Sequence, residues 1–170
     1  MQLTKIQKQI ENNPWKTAIT IRKNNQTIFE NSNANMVFKS ASLIKLGIAL
    51  YIEEEKPDTI DNTLNLSSDD IVGGAGIINR LSIKSWQISD LLDLMLSVSD
   101  NTATTALLNY YNINTINDYL QQNFQNISLG RFLMKKSTKE NTCTANSMMD
   151  VFEKLLAANN KVSHVVLNAL

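Results

Sequence analysis

From Leu43 to Ile52 the chain is apolar at every position except Lys45 and Gly47, and no other stretch restricts its folding as strongly. A helix that is apolar on all sides has no face to give to water, so it belongs inside a domain. Lys45 is therefore placed in the interior. Ser42 stands three residues earlier, and residues three apart share a helical face, which sets the Lys45 amine beside the Ser42 hydroxyl. Burial disfavours the charged form of a lysine. Serine is a weak nucleophile without an adjacent base, and a neutral Lys45 would supply one. Ser42 also precedes the first free N–H groups of the helix, where developing negative charge is favoured. The plainer reading makes Ser42 a helix cap and Lys45 a side chain snorkelling to water. Spacing alone leaves both open.

The chain has 170 residues, 43% of them apolar, which is enough to bury the core of one ordinary domain. Sixteen basic residues balance sixteen acidic ones, which argues against nucleic acid or an anionic membrane as partner and for a small neutral or zwitterionic one. Met1 to Asn12 contains neither the apolar run of a signal peptide nor a membrane span. The chain as written is read as cytoplasmic, and as secreted if a leader has been removed from it. The single cysteine, Cys143, excludes an internal disulfide. Cys143 and the single histidine, His164, are not at metal-ligand spacing, so neither a metal nor any other cofactor is expected.

Leu3, Ile6 and Ile10 predict a short amphipathic helix ending by Pro14. Trp15, Thr17, Ile19 and Ile21 alternate with polar residues as in a half-buried strand, Asn24-Asn25 forms a turn, and Gln26 to Glu30 returns as the partner strand. The buried helix then runs to Glu53-Glu54-Glu55, before Pro57. Thr59 to Leu66 reads as loop, Ser67 to Asp70 as a single turn, and Gly73-Gly74-Ala75-Gly76 as a tight bend without the lysine of a phosphate loop. Ser89 is expected to cap a second helix carrying Leu91, Leu92, Met95 and Val98. After a break at Ser99-Asp100-Asn101, further helices carry Ala103, Ala106, Leu107 and Tyr110, then Ile116, Tyr119, Leu120 and Phe124. Gly130 to Thr142 is irregular. Met148, Met149, Phe152, Leu155 and Leu156 mark the next helix, and Ser163 is expected to cap the last.

Ser99-Asp100-Asn101 on its own is a capping motif between two helices. Together with Ser42-x-x-Lys45 it resembles the class A β-lactamases and their penicillin-binding relatives, for which this pair of motifs is characteristic. Phe38-x-Ser40-Ala41-Ser42, Gly73-Gly74-Ala75-Gly76-Ile77, Leu92 to Leu96, Ser99-Asp100-Asn101-Thr102-Ala103 and Thr142-x-Thr144-Ala145 follow in family order. The resemblance implies an α+β, β-lactamase-like fold. Residues 1–41 would form the N-terminal helix and hairpin of an incomplete antiparallel sheet, and residues 42–170 a helical domain opening on the nucleophile helix. It also implies a serine hydrolase acting on a β-lactam or a peptidoglycan-like substrate. Ser42 attacks the carbonyl, Lys45 takes the proton, Ser99 relays a proton to the leaving ring nitrogen, and Asn101 holds the substrate amide. A Ser/His/Asp arrangement lacks its Gly-x-Ser-x-Gly elbow, and a Cys143/His164 pair is the weaker alternative nucleophile.

Three departures from the family pattern shape the expectation. No Lys-Thr-Gly or Lys-Ser-Gly follows within residues 1–170. The chain is thus read as stopping short of the strand that carries this motif and one oxyanion donor, the latter worth about 3 kcal/mol in comparable sites. An open strand edge would then pair with a separate C-terminal segment or form a homodimer. The loop from Arg131 to Asn141 is short for the family's Ω-shaped loop, leaving Glu140 as the candidate base for deacylation. Thr105 stands where the family has an asparagine bracing that loop. Acylation without efficient turnover follows as the expectation, with a binding-only relative as the alternative.

Overall fold

A computed structural model describes residues 5, 8–10 and 16–170. Lys5 and Lys8–Ile10 are helical, whereas Leu3, Ile6, Pro14 and Trp15 lie outside the described residues. The hairpin is present as β1 (Thr20–Lys23) and β2 (Gln26–Glu30). Its turn residues Asn24 and Asn25 have φ of 50° and 61°, the left-handed pair that two-residue hairpins select and asparagine tolerates. From β1, Arg22 Nη1 donates to Asp150 Oδ1 at 2.6 Å and Glu153 Oε2 at 2.7 Å, tying the hairpin to a helix more than a hundred residues away.

The apolar run forms α1 (Ile44–Glu55), in which Ile44, Ile48, Ala49, Leu50 and Ile52 are all fully buried. Around it pack α2 (Ile88–Ser97), α4 (Ile113–Asn123), α5 (Ala145–Ala157) and α6 (Lys161–Ala169). The remaining helix, α3 (Asn101–Tyr111), packs on α2 and α4. Gly47 interrupts the apolar run because α4 comes so close that a Cβ there would stand 3.0 Å from Leu120. No helix among the described residues is long and apolar enough to cross a membrane.

Two small antiparallel sheets appear where sequence periodicity gave none. β4 (Thr63–Asn65), in the segment expected to be loop, pairs with β5 (Ser85–Gln87), while β7 (Asn141–Cys143) lies between β3 (Phe38–Lys39) and β6 (Ser128–Leu129). Strands of two or three residues are too short to display alternation, so only their partners reveal them. The β3–β7–β6 sheet also joins segments from either side of the expected division at residue 42.

Several expected details shift. Ser89 lies inside the first turn of α2, whose Ile88 and Ser89 N–H groups are taken by the carbonyls of Asn62 and Ile60, so no side-chain cap is needed. Asn160, not Ser163, caps α6, and Ser163 completes the capping box from the third helical position. Tyr110 and Leu156, expected on core faces, are 43% and 48% exposed, and Tyr111 and Val151 are buried instead.

Candidate active site

Two short turns carry the polar constellation into the end of the α1 core. Ser42 lies in the middle of a 3-10 turn, Ala41–Leu43, just before α1, and the N-caps of turn and helix are Ser40 and Leu43 respectively, so Ser42 occupies neither capping position. The capping reading of Ser42 therefore fails. The preceding Ala41 has φ 46°, and Ser99 has φ 56°. Left-handed backbone at a residue with a Cβ is costly and persists where the surroundings enforce it.

What enforces the Ser99 turn is the carboxylate of Asp100, 1% exposed. Its Oδ1 caps α3 by accepting from Ala103 N at 3.0 Å, and its Oδ2 accepts from the N–H groups of Ile77 and Ile78 at 2.7 and 2.9 Å. The glycine bend is thereby stitched to the turn, and Asn101 N donates in return to Ala75 O at 3.1 Å. Gly76, at φ 109°, lies so close that a Cβ would stand 2.3 Å from the Asp100 carboxylate. The tight bend read from the sequence is packed against this motif.

Lys45 is 2% exposed. Its Nζ donates to Ser99 O at 2.6 Å, Ser99 Oγ at 2.8 Å and Asn101 Oδ1 at 3.2 Å. Ser99 Oγ in turn lies 2.9 Å from Ser42 Oγ. Ser42, Lys45, Ser99 and Asn101 thus come together, but with a different wiring from the helical-face expectation. The amine reaches Ser42 through Ser99, because a buried ammonium has three protons to satisfy and the Ser99 turn with Asn101 offers three acceptors. Burial pulls the Lys45 pKa down from its ordinary 10.5 to about 8, against the opposing charge of Asp100.

Asn101 is 6% exposed and engaged at both ends, with Oδ1 on Lys45 and Nδ2 donating to Gly73 O at 3.4 Å. In this arrangement its first task is to hold the amine. Thr105 is buried and bonds back to Asn101 O at 2.8 Å, so it does not brace the 131–140 loop. Asn141 does that, since its side chain accepts from Arg131 N and donates to Arg131 O at 2.9 and 3.0 Å.

Glu140 is drawn away from base chemistry. Lys39 Nζ at 3.2 Å and Arg131 Nε at 3.3 Å bond its carboxylate and hold its pKa below the ordinary carboxylate range. A general base works best with a pKa near the working pH, which these partners oppose. Cys143 is buried in β7 and His164 is exposed on α6. No hydrogen bond joins them among the described residues, and the alternative dyad is not formed. One residue absent from the sequence reading stands beside the site: a Cβ on Gly74 would meet Asn101 Nδ2 at 2.6 Å and Met134 Sδ at 3.1 Å. Met134, 51% exposed, carries the 131–140 loop over the glycine bend, a contact no local pattern announces.

The arrangement supports proton transfer from one hydroxyl through a second to a buried amine. The family model described as the beta-lactamase enzyme family matches residues 3–170. No curated protein matches the sequence. Among solved structures, a β-lactamase from Sphaerobacter thermophilus is 23% identical with a TM-score of 0.74, covering 85% of this chain and 59% of its own. A point mutant of PBP-A, in acyl-enzyme complex with penicillin G, is 20% identical with a TM-score of 0.79, covering 98% and 66%. A class A β-lactamase from Bacteroides cellulosilyticus is 13% identical with a TM-score of 0.81, covering 98% and 66%. The fold is α+β and β-lactamase-like, and the chain spans less than two thirds of the length of each of these structures.

Proposed function

We propose, from the premise that the chain belongs to the beta-lactamase enzyme family, that it is a serine acyl-transfer protein in which Ser42 is acylated by a β-lactam and released slowly. The observation that carries this reading is the hydrogen-bonded chain from Ser42 Oγ through Ser99 Oγ to Lys45 Nζ. With Lys45 neutral, its lone pair faces Ser99 Oγ while its two remaining protons stay on Ser99 O and Asn101 Oδ1. Ser42 then passes its proton to Ser99 as it attacks the carbonyl carbon, and Ser99 passes its own to Lys45. The C–N bond of the lactam breaks, and the protonated Lys45 returns the proton through Ser99 to the ring nitrogen. Asn101 holds Lys45 in register, and its Nδ2 is offered to the substrate amide when that carbonyl displaces Gly73 O from the long 3.4 Å contact.

Slow release is favoured over turnover by the state of Glu140. Hydrolysis of the ester needs a carboxylate free to take a proton from water, and Glu140 is committed to Lys39 and Arg131. A PBP-A mutant trapped as an acyl-enzyme with penicillin G and a penicillin-binding protein from Listeria monocytogenes in an ampicillin-bound form share the fold. Intact-protein mass spectrometry after mixing with penicillin G tests the proposal. A single adduct with the mass of the intact penicillin, absent in Ser42→Ala and lost slowly, is expected. No adduct on wild-type protein overturns acylation, and adduct-free multiple turnover of a chromogenic cephalosporin overturns slow release.

A further inference from the structure

Behind the 131–140 loop, on the side of α4, the structure forms a cavity of about 480 Å³ that none of the acyl-transfer groups lines. Of the sixteen basic residues in a chain with no net charge, four, Arg131, Lys135, Lys136 and Lys139, fall within nine consecutive positions that hold no acidic residue, and all four line this cavity. Overall charge does not produce such a cluster, and local counter-charge offsets only two of its members. Arg131 is paired with Glu140, which it shares with Lys39, and Lys135 rests on the Phe132 ring with its Nζ 4.6 Å from the centroid and feels the Asp70 carboxylate. Neither Lys136 nor Lys139 has an ion-pair partner among the described residues.

The opposite wall is polar but uncharged. Asn114, Asn117 and Gln121 project from α4 into the same cavity. Asn117 Oδ1 is fixed by Leu129 N at 2.9 Å, which leaves its NH₂ for a ligand, and the side-chain amides of Asn114 and Gln121 make no hydrogen bond among the described residues. Cations on one wall fit phosphate oxygens. Amides, which both donate and accept, fit hydroxyls. The volume lies within the range of small-molecule sites and exceeds what a lone phosphate fills.

We propose that this cavity is a binding site for a phosphorylated sugar, with the phosphate on the Lys136 and Lys139 side and the sugar hydroxyls on the α4 amides. Isothermal titration calorimetry at fixed ionic strength tests it with glucose 6-phosphate, inorganic phosphate and glucose as probes. Glucose 6-phosphate binds with a dissociation constant of about 1 mM or tighter, inorganic phosphate at least tenfold more weakly, and glucose not detectably. A Lys136→Glu/Lys139→Glu variant, altered only at exposed positions, loses at least tenfold in affinity with an unchanged circular dichroism spectrum. Asn114→Ala weakens glucose 6-phosphate and leaves inorganic phosphate unaffected. Absence of binding, equal binding of phosphate and its sugar ester, or undiminished binding by the charge-reversed variant each overturns the proposal. Ser42→Ala protein binds as well as wild type, so the result stands apart from the acylation chemistry.

Discussion

Glu53 lies on α1 two turns beyond Lys45, 3% exposed, and neither carboxylate oxygen has a hydrogen-bond partner. Burial, reinforced by the neighbouring charge of Glu54, raises its pKa from the ordinary 4.5 to about 7. At about 1.4 kcal/mol for each tenfold change in proton affinity, that rise is worth about 3 kcal/mol. The sign follows from proton counting. Below pH 4.5 Glu53 is protonated in both folded and unfolded chains and the burial costs little, whereas between pH 4.5 and 7 the folded chain holds the proton more tightly. Stability therefore falls as the pH rises through this window, and above pH 7 the native state carries the full penalty. Glu53→Leu, close in volume and without a charge, removes the dependence. Urea unfolding followed by circular dichroism from about pH 4.5 to 7.5 is expected to show the variant gaining on wild type by about 3 kcal/mol across the window. Lys45 titrates near 8, above most of this range, and the exposed Glu55→Gln serves as the control on the same helix. Wild type and Glu53→Leu running parallel across the range would mean that Glu53 finds water or a partner in the folded state and that its burial carries no penalty.

The remaining predictions concern the site. Lys45 with a pKa of about 8 is about one-tenth neutral at pH 7, so the rate of acylation rises with pH and levels off above a midpoint near 8, measurable by quenched-flow mass spectrometry with penicillin G. Ser99→Ala breaks the path between Ser42 and Lys45, and a loss of about 10²–10⁴ in acylation rate is expected with the fold retained by circular dichroism. Asp100→Asn removes the negative charge that holds the Lys45 pKa up, moving the midpoint of the pH profile to lower pH. It also presents an NH₂ to the backbone donors now served by Asp100, with about 1–3 kcal/mol of destabilisation in urea. Gly76→Ala forces a Cβ into the Asp100 carboxylate at φ 109° and costs at least about 2 kcal/mol in the same assay.

Those residues also show where local pattern stops. The ten-residue apolar run is a signal of length, and length is what lets a pattern report burial. α1 and its interior position were legible for that reason, whereas the hairpin was legible from its Asn24-Asn25 turn, since β1 spans only Thr20–Lys23, the end of the expected alternation, and its burial does not alternate. Thr63–Asn65 and Ser85–Gln87 pair across a gap of about twenty residues, and each alone is a polar triplet around one apolar side chain. Glu53 sits in a Glu53-Glu54-Glu55 run that reads as the polar end of a helix. Only the packing of the other helices around α1 puts the first of the three indoors.

Local pattern placed the Leu43 to Ile52 run in the interior with an amine three residues from a serine hydroxyl, read Ser99-Asp100-Asn101 as a capping turn between helices and made Gly73-Gly74-Ala75-Gly76 a tight bend, while leaving open whether the Lys45 amine turns inward or reaches water. These follow from spacing, capping chemistry and the cost of exposing apolar surface, all of which act within a few residues. Tertiary structure alone decided which hydroxyl the amine holds, that Asn101 is occupied from both sides, that Glu140 is claimed by two cations, and that Met134 leans over the glycine bend. Those outcomes depend on groups from separate parts of the chain meeting in space, and the buried Lys45 amine takes the set of partners that satisfies its hydrogen bonds.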